Sequence, residues 1–194
     1  FIKLAERLKI QTTLISSNEL PAKIDIGPTK YDDLTVSDYG LCAPPWACYA
    51  ERELAYQKDC PYVMGEFIWT GFDYLGEPTP YYAEWPSRSS YFGVVDLAGL
   101  PKNRYYLYKS KWTDNQTLHI FPHWNWEGME GQIVPVHVYT NCDQVELFIN
   151  GASYGKKSHA KEGLDDNSQV ERFRLMWNDT VYSPGEVCAV GYKN

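Results

Sequence analysis

After residue 117 the period changes: short runs with apolar residues at every second position replace the helical spacing of the first half, and such alternation predicts β-strands. Leu118, Ile120 and Phe121 open one run. Val134, Val136, Val138 and Tyr139 alternate with Pro135 and His137, and Val145, Leu147 and Ile149 alternate with Glu146, Phe148 and Asn150. Phe173, Leu175 and Trp177 form a further run, and residues 186–192 follow the Ser183-Pro184-Gly185 turn as a last strand. A two-residue period puts one set of side chains on a buried face and the other on a wet face. Asn150-Gly151 lies where a type I′ hairpin turn is needed, since both residue types tolerate positive φ. Several short strands separated by turns predict a β-sandwich.

The first half has a different rhythm. Residues 3–10 carry Leu4, Ala5 and Leu8 at helical spacing, and a β-prone run, Thr12-Thr13-Leu14-Ile15, ends at the polar cluster Ser16-Ser17-Asn18-Glu19. Residues 20–48 hold Pro21, Gly27, Pro28, Gly40, Pro44 and Pro45, which predicts a long loop. A short amphipathic helix is expected over 50–58. The apolar run 62–70 then predicts a buried parallel strand covered on both faces. A Gly-, Pro-, Tyr- and Trp-rich loop leads to a third helix over 103–112. Helix, strand, loop, helix, strand, loop, helix amounts to two α/β units, too few to close a barrel. The change of period puts a domain boundary near residue 113, giving domains 1–112 and 113–194.

Composition excludes several function classes. The net charge is −7 with no basic stripe, so there is no electrostatic footprint for nucleic acid. No apolar run approaches the roughly 20 residues of a membrane helix, so no membrane insertion is expected. No signal peptide is visible at Phe1, which suggests a mature chain or an internal piece. Cys42, Cys48, Cys60, Cys142 and Cys188 include no C-x-x-C pair, and His119, His123, His137 and His159 make no metal-binding pattern, so neither metal nor cofactor is expected. Free thiols are the default. A bridge between Cys142 and Cys188, both in predicted strands, stays open. The 7 Trp, 16 Tyr and 7 Phe suit stacking on the C–H faces of sugars, and suit packing equally well.

Longer motifs narrow the choice. Gly65-Glu66-Phe67-Ile68-Trp69-Thr70-Gly71-Phe72-Asp73-Tyr74-Leu75-Gly76-Glu77-Pro78 resembles the last barrel strand and its loop in glycoside hydrolase family 2. Trp85-Pro86-Ser87-Arg88-Ser89-Ser90-Tyr91-Phe92-Gly93 and Asp96-Leu97-Ala98-Gly99 continue the similarity toward the last barrel helix. His123-Trp124-Asn125-Trp126, the stretch 145–155 (VELFINGASYG), and Pro184-Gly185-Glu186 with Ala189-Val190 are similar to the sandwich that follows the barrel in Bacteroides-type β-galactosidases. The resemblance covers residues 60–194 well and 1–59 loosely. It implies an α/β plus all-β chain: the last units of a (β/α)8 barrel, then an immunoglobulin-like β-sandwich lacking its last strand.

The resemblance also implies a chemistry. Retaining glycosidases use two carboxylates about 5–5.5 Å apart, one as nucleophile and one as acid/base. Glu19, just past a predicted strand, best matches the nucleophile, although Leu20-Pro21-Ala22 after it depart from the family's usual small and polar residues. Trp69 aligns with the tryptophan beneath the sugar in the cleavage subsite. Asp73, Glu77, Trp85 and Arg88 are candidate substrate contacts in the adjoining loop. The acid/base glutamate has no match in this chain, so the isolated chain is expected to be nearly inert. The implied partner is a β-linked galactoside or oligosaccharide, and the implied location periplasmic or secreted. Exposed apolar faces of two α/β units predict self-association, or contact with other segments of a parent chain. Two other readings compete: a non-catalytic carbohydrate-binding or structural module, and an adhesion module that has only its fold in its favour.

Overall fold

The computed structural model describes residues 32–36, 38, 47–79, 81–161 and 166–193. The helix expected over 3–10, the strand over 12–15 and Glu19 lie outside the described residues. The described elements are α1 (Ala50–Asp59), α2 (Asn103–Trp112), β1 (Leu118–Phe121), β2 (Val136–Thr140), β3 (Gln144–Ile149), β4 (Ala152–Lys157), α3 (Asp166–Glu171), β5 (Leu175–Trp177) and β6 (Val187–Tyr192).

The strands make two antiparallel three-stranded sheets, ordered β1-β2-β5 and β4-β3-β6. Alternation does what the sequence requires: β3 buries Val145, Leu147 and Ile149 and turns the residues between them outward. Val136 and Val138 from one sheet meet Val145 and Leu147 from the other, with Cys142, Leu175 and Trp177, in one core cluster. The Trp177 indole N–H donates to the Tyr154 carbonyl at 3.1 Å, so the buried ring keeps its polar atom satisfied. The β3–β4 hairpin turns at Asn150 and Gly151, with φ of 49° and 79°, as a type I′ turn demands.

The two strand cysteines do not form a bridge; both are free. Val187 and Ala189 pack toward the core, so the two-residue period turns Cys188 to the opposite, exposed face, while Cys142 is buried inside. The Cys142 sulfur instead lies over Gly191, where an added Cβ would stand 2.6 Å from it.

Helices α1 and α2 cover the outer face of the β1-β2-β5 sheet. Leu54 and Ala55 of α1 and Leu107 of α2 form a second cluster with Phe121, Tyr139 and Phe173. Glu51 and Glu53 sit in the first turn of α1, where the helix dipole favours negative charge. Glu51 is also tied to the sheet. Its carboxylate accepts from Arg174 Nε at 2.7 Å and from the Tyr139 hydroxyl at 2.6 Å, with all three groups buried. Arg172 grips Asp59 at the other end of α1 through two bonds of 2.6 and 2.7 Å. Burial and the adjacent Arg174 push His137 down to about 3, so its ring beside the guanidinium is neutral.

The apolar run 62–70 is not the buried strand that its composition predicts. Its residues form no ladder, and Met64 and Phe67 are fully exposed. A buried parallel strand needs cover on both of its faces. Here pairing is one-sided and starts only at the end of the run. Val94 N–H donates to the Thr70 carbonyl at 2.9 Å, Val95 N–H to Gly71 at 3.0 Å, and Asp73 N–H to Val95 at 2.9 Å. Phe72 and Val95 make a single parallel bridge.

Candidate functional site

The loops that follow this run gather most of the candidate residues. The chain 70–73 runs beside 92–95, and the close approach depends on Gly93. A Cβ there would meet Asp73 N at 2.1 Å and the Val95 carbonyl oxygen at 2.5 Å. Asp73 closes the crossing: its Oδ1 accepts from the Gly93 N–H at 2.7 Å, and its Oδ2 pairs with Lys102 Nζ at 2.7 Å. Lys102 Nζ also donates to the Tyr91 carbonyl at 3.0 Å. Both Asp73 oxygens thus serve the loop itself.

Residues 74–79 and 81–90 double back on each other as an irregular hairpin. Ser90 N–H donates to the Tyr74 carbonyl at 2.8 Å, Gly76 N–H to the Arg88 carbonyl at 2.8 Å, and Leu75 bridges Ser89. Trp85 stands 76% exposed at the far side, with the Arg88 guanidinium 3.9 Å from its ring centroid. That stacking leaves a flat, charged surface facing solvent.

Trp69 is 69% exposed. Its indole N–H donates to the Tyr74 hydroxyl at 3.1 Å, and the two rings meet edge to face at 6.1 Å. The Tyr74 hydroxyl in turn donates to the Glu77 carboxylate, which holds the phenol in its neutral form. Trp69, Glu77, Glu66, Glu53 and Arg104 share the wall of an open cavity of about 480 Å³. Partial burial, and then the neighbouring Glu53 carboxyl, push Glu66 up to about 7. Glu53 also accepts from the Cys48 thiol at 2.5 Å, and burial with Glu53 beside it drives that thiol well above its ordinary range.

The structure therefore brings Trp69 and Glu77 together through Tyr74, and puts Trp85 with Arg88 on the same loop. Asp73 is turned into the loop's own bracing, and Glu19 lies outside the described residues. Sequence reasoning missed Tyr74 and Glu66. Glu66 had a signal, as the single charged residue in an otherwise apolar run; Tyr74 had none beyond its place in the motif. The arrangement offers an indole face beside carboxylates, which suits a ligand with an apolar face and a hydroxylated rim. Among the described residues no group of three His, Cys, Asp or Glu side chains gathers where a metal ion could sit. No helix among them is long and apolar enough to cross a membrane.

Comparisons with known proteins agree with the motifs. A family model described as a domain of unknown function, DUF4982, matches residues 131–194, which takes in β2 to β6. The chain is 55% identical over 152 residues to the β-galactosidase BoGH2A of Bacteroides ovatus, covering 78% of this chain and 16% of that enzyme. Its fold matches a β-glycosidase of Bacteroides vulgatus with a TM-score of 0.67 and 42% identity, over 81% of this chain and 18% of the other. It also matches a glycosyl hydrolase family 2 member of Bacteroides cellulosilyticus with a TM-score of 0.56 and 30% identity, over 73% of this chain and 22% of the other. Its relatives include β-glucuronidases as well as β-galactosidases. In each case the chain spans less than a quarter of the relative's length. On sequence and fold together, this chain belongs with the glycoside hydrolase family 2 proteins and corresponds to one stretch of them.

Proposed function

We propose that this chain is the part of a retaining β-galactosidase that carries the end of a (β/α)8 barrel, over residues 1–112, and an immunoglobulin-like sandwich after it, over 113–194. In this reading the parent enzyme cleaves β-linked galactosides by double displacement. Glu19 is the nucleophile, and a glutamate elsewhere in the parent is the acid/base. Trp69 is the platform under the sugar. Trp85 and Arg88, which face solvent, border neighbouring subsites. Asp73, with both oxygens engaged, holds the loop in shape.

The observation that carries this reading is the Trp69 indole: a rigid aromatic face, exposed at the rim of a cavity and fixed by its N–H, in a chain 55% identical to a β-galactosidase. The exposed Met64 and Phe67 support a further part of the proposal. They are covered by other segments of the parent, or by a second copy when the chain stands alone. A periplasmic or secreted location belongs to the same proposal, and cell fractionation of the parent tests it.

Intact-mass analysis after incubation with an activated 2-deoxy-2-fluoro-β-galactoside tests the function. The good leaving group needs little acid assistance, so the nucleophile is examined by itself. The expected result is a covalent adduct that maps to Glu19. Absence of any adduct in folded protein would leave the non-catalytic carbohydrate-binding module as the better description of the chain. A parallel incubation with the corresponding glucuronide separates the two activities found among the relatives.

A further inference from the structure

An exposed tryptophan makes a poor platform if its ring is free to turn. Stacking on a sugar rewards a ring already held at the angle the sugar needs. Among the described residues the Trp69 ring has one aromatic neighbour, Tyr74, which touches it edge-on and leaves stacking on its face unused. The hydrogen bonds around it run in one direction. An indole N–H only donates, an ionised carboxylate only accepts, and a phenol does both. Tyr74 stands between the two, accepting from Trp69 at 3.1 Å and donating to Glu77.

Tyr74 is itself well anchored. Its backbone N–H donates to Ser90 Oγ at 3.2 Å and its carbonyl accepts from Ser90 N–H at 2.8 Å, with Ser90 buried. Glu77 reaches the phenol from a backbone φ of 43°, in the left-handed region. A glutamate stays in that region only where its surroundings over-determine it. The loop therefore accepts an unfavourable backbone at Glu77 while its carboxylate lies against Tyr74.

We infer that Tyr74 is a positioning residue which, backed by Glu77, sets the orientation of the Trp69 indole for stacking on the substrate sugar. Glu77 then acts on the platform, not on the sugar. This role rests on the reading of Trp69 as a sugar platform given above.

The test uses the full chain labelled with 15N, with the Trp69 indole N–H signal assigned by its loss in Trp69→Phe. Methyl β-D-galactopyranoside is titrated in while that signal and its hydrogen exchange are followed. In the wild type the signal moves with sugar and exchanges slowly. Tyr74→Phe keeps the ring and removes the relay. It is expected to speed exchange at Trp69 alone and to weaken sugar binding about tenfold, the size of one lost charge-assisted hydrogen bond. Glu77→Ala is expected to move both readouts in the same direction. Unchanged sugar affinity in Tyr74→Phe overturns the positioning role, whatever happens to exchange. Weakened binding in Glu77→Ala with an unmoved Trp69 signal makes Glu77 a direct sugar ligand and also overturns it. If the wild-type signal ignores the sugar but still exchanges slowly, the platform reading fails first. The relay is then purely structural.

Discussion

Two regions of this molecule treat the same kind of residue in opposite ways. In the paired sheets Val136, Val138, Val145 and Leu147 are 0% exposed, whereas in the run 62–70 Met64 and Phe67 are 105% exposed. Both stretches are apolar and β-prone. The difference lies in where their partners come from. β3 finds β4 across a two-residue turn and β6 a few dozen residues on, and its ladder is antiparallel. The run 62–70, read from its composition as a parallel strand, would need neighbours that a chain reaches only through long crossovers. Apolar composition reports the wish to be covered, and chain connectivity decides whether the cover is at hand.

Mutations sharpen that contrast. The largest loss is expected from Trp177→Ala, which empties the shared core and removes a satisfied indole; it costs about 4–5 kcal/mol in urea unfolding followed by far-UV circular dichroism. Glu51→Ala strands the buried Arg174 guanidinium and costs about 3–4 kcal/mol in the same assay, with Glu51→Gln costing less because the Tyr139 hydroxyl keeps an acceptor. Gly191→Ala crowds the Cys142 sulfur and costs about 1–3 kcal/mol, and the double variant with Cys142→Ala recovers much of the loss. By contrast, Met64→Ser with Phe67→Ser leaves stability within about 0.5 kcal/mol per site, while sedimentation detects less self-association. A stability loss of several kcal/mol in that pair would break the comparison, since it would mean the run is buried in solution.

A further effect is electrostatic. Glu66 is raised from 4.5 to about 7 in the folded chain, so the folded state holds its proton more tightly than the unfolded one. Stability is then penalised as pH climbs through that window. The penalty is absent below about 4.5 and complete above about 7. Urea midpoints at pH 5 and pH 8 are expected to lie closer together in Glu66→Gln than in the wild type.

Much of this was legible in the residues, and what was not had a common cause. β1, β2, β3, β5 and β6 follow from their alternating apolar positions, the hairpin from Asn150-Gly151, and α1 from its amphipathic pattern, while Pro101 and Asn103 announce α2; both helices lie at the expected bounds to within a residue. β4 was legible only as the far side of that turn, because Ala152–Lys157 is exposed throughout and carries no apolar stripe. The short helix α3 showed no periodic signal. In the site, Trp69 stood out through its motif, while the Tyr74 relay depends on how a loop folds back on Ser90, sixteen residues away. The Glu51–Arg174 pair spans 123 positions, and no local pattern announces a contact at that range.

That pair bears on how chains of this family can be recombined. The change of period near residue 113 looks like a place to cut and splice, yet the anion and its cation fall on opposite sides of it. An exchange of residues 113–194 with a relative would succeed only if the incoming sheet brought an arginine to meet Glu51, and a second to meet Asp59. Grafts that respect this matching should fold, and grafts that ignore it would inherit a carboxylate locked in a dry seam without its counterion. The seam between the halves is thus a compatibility code, written in two acids on a helix and two bases on a strand's approach.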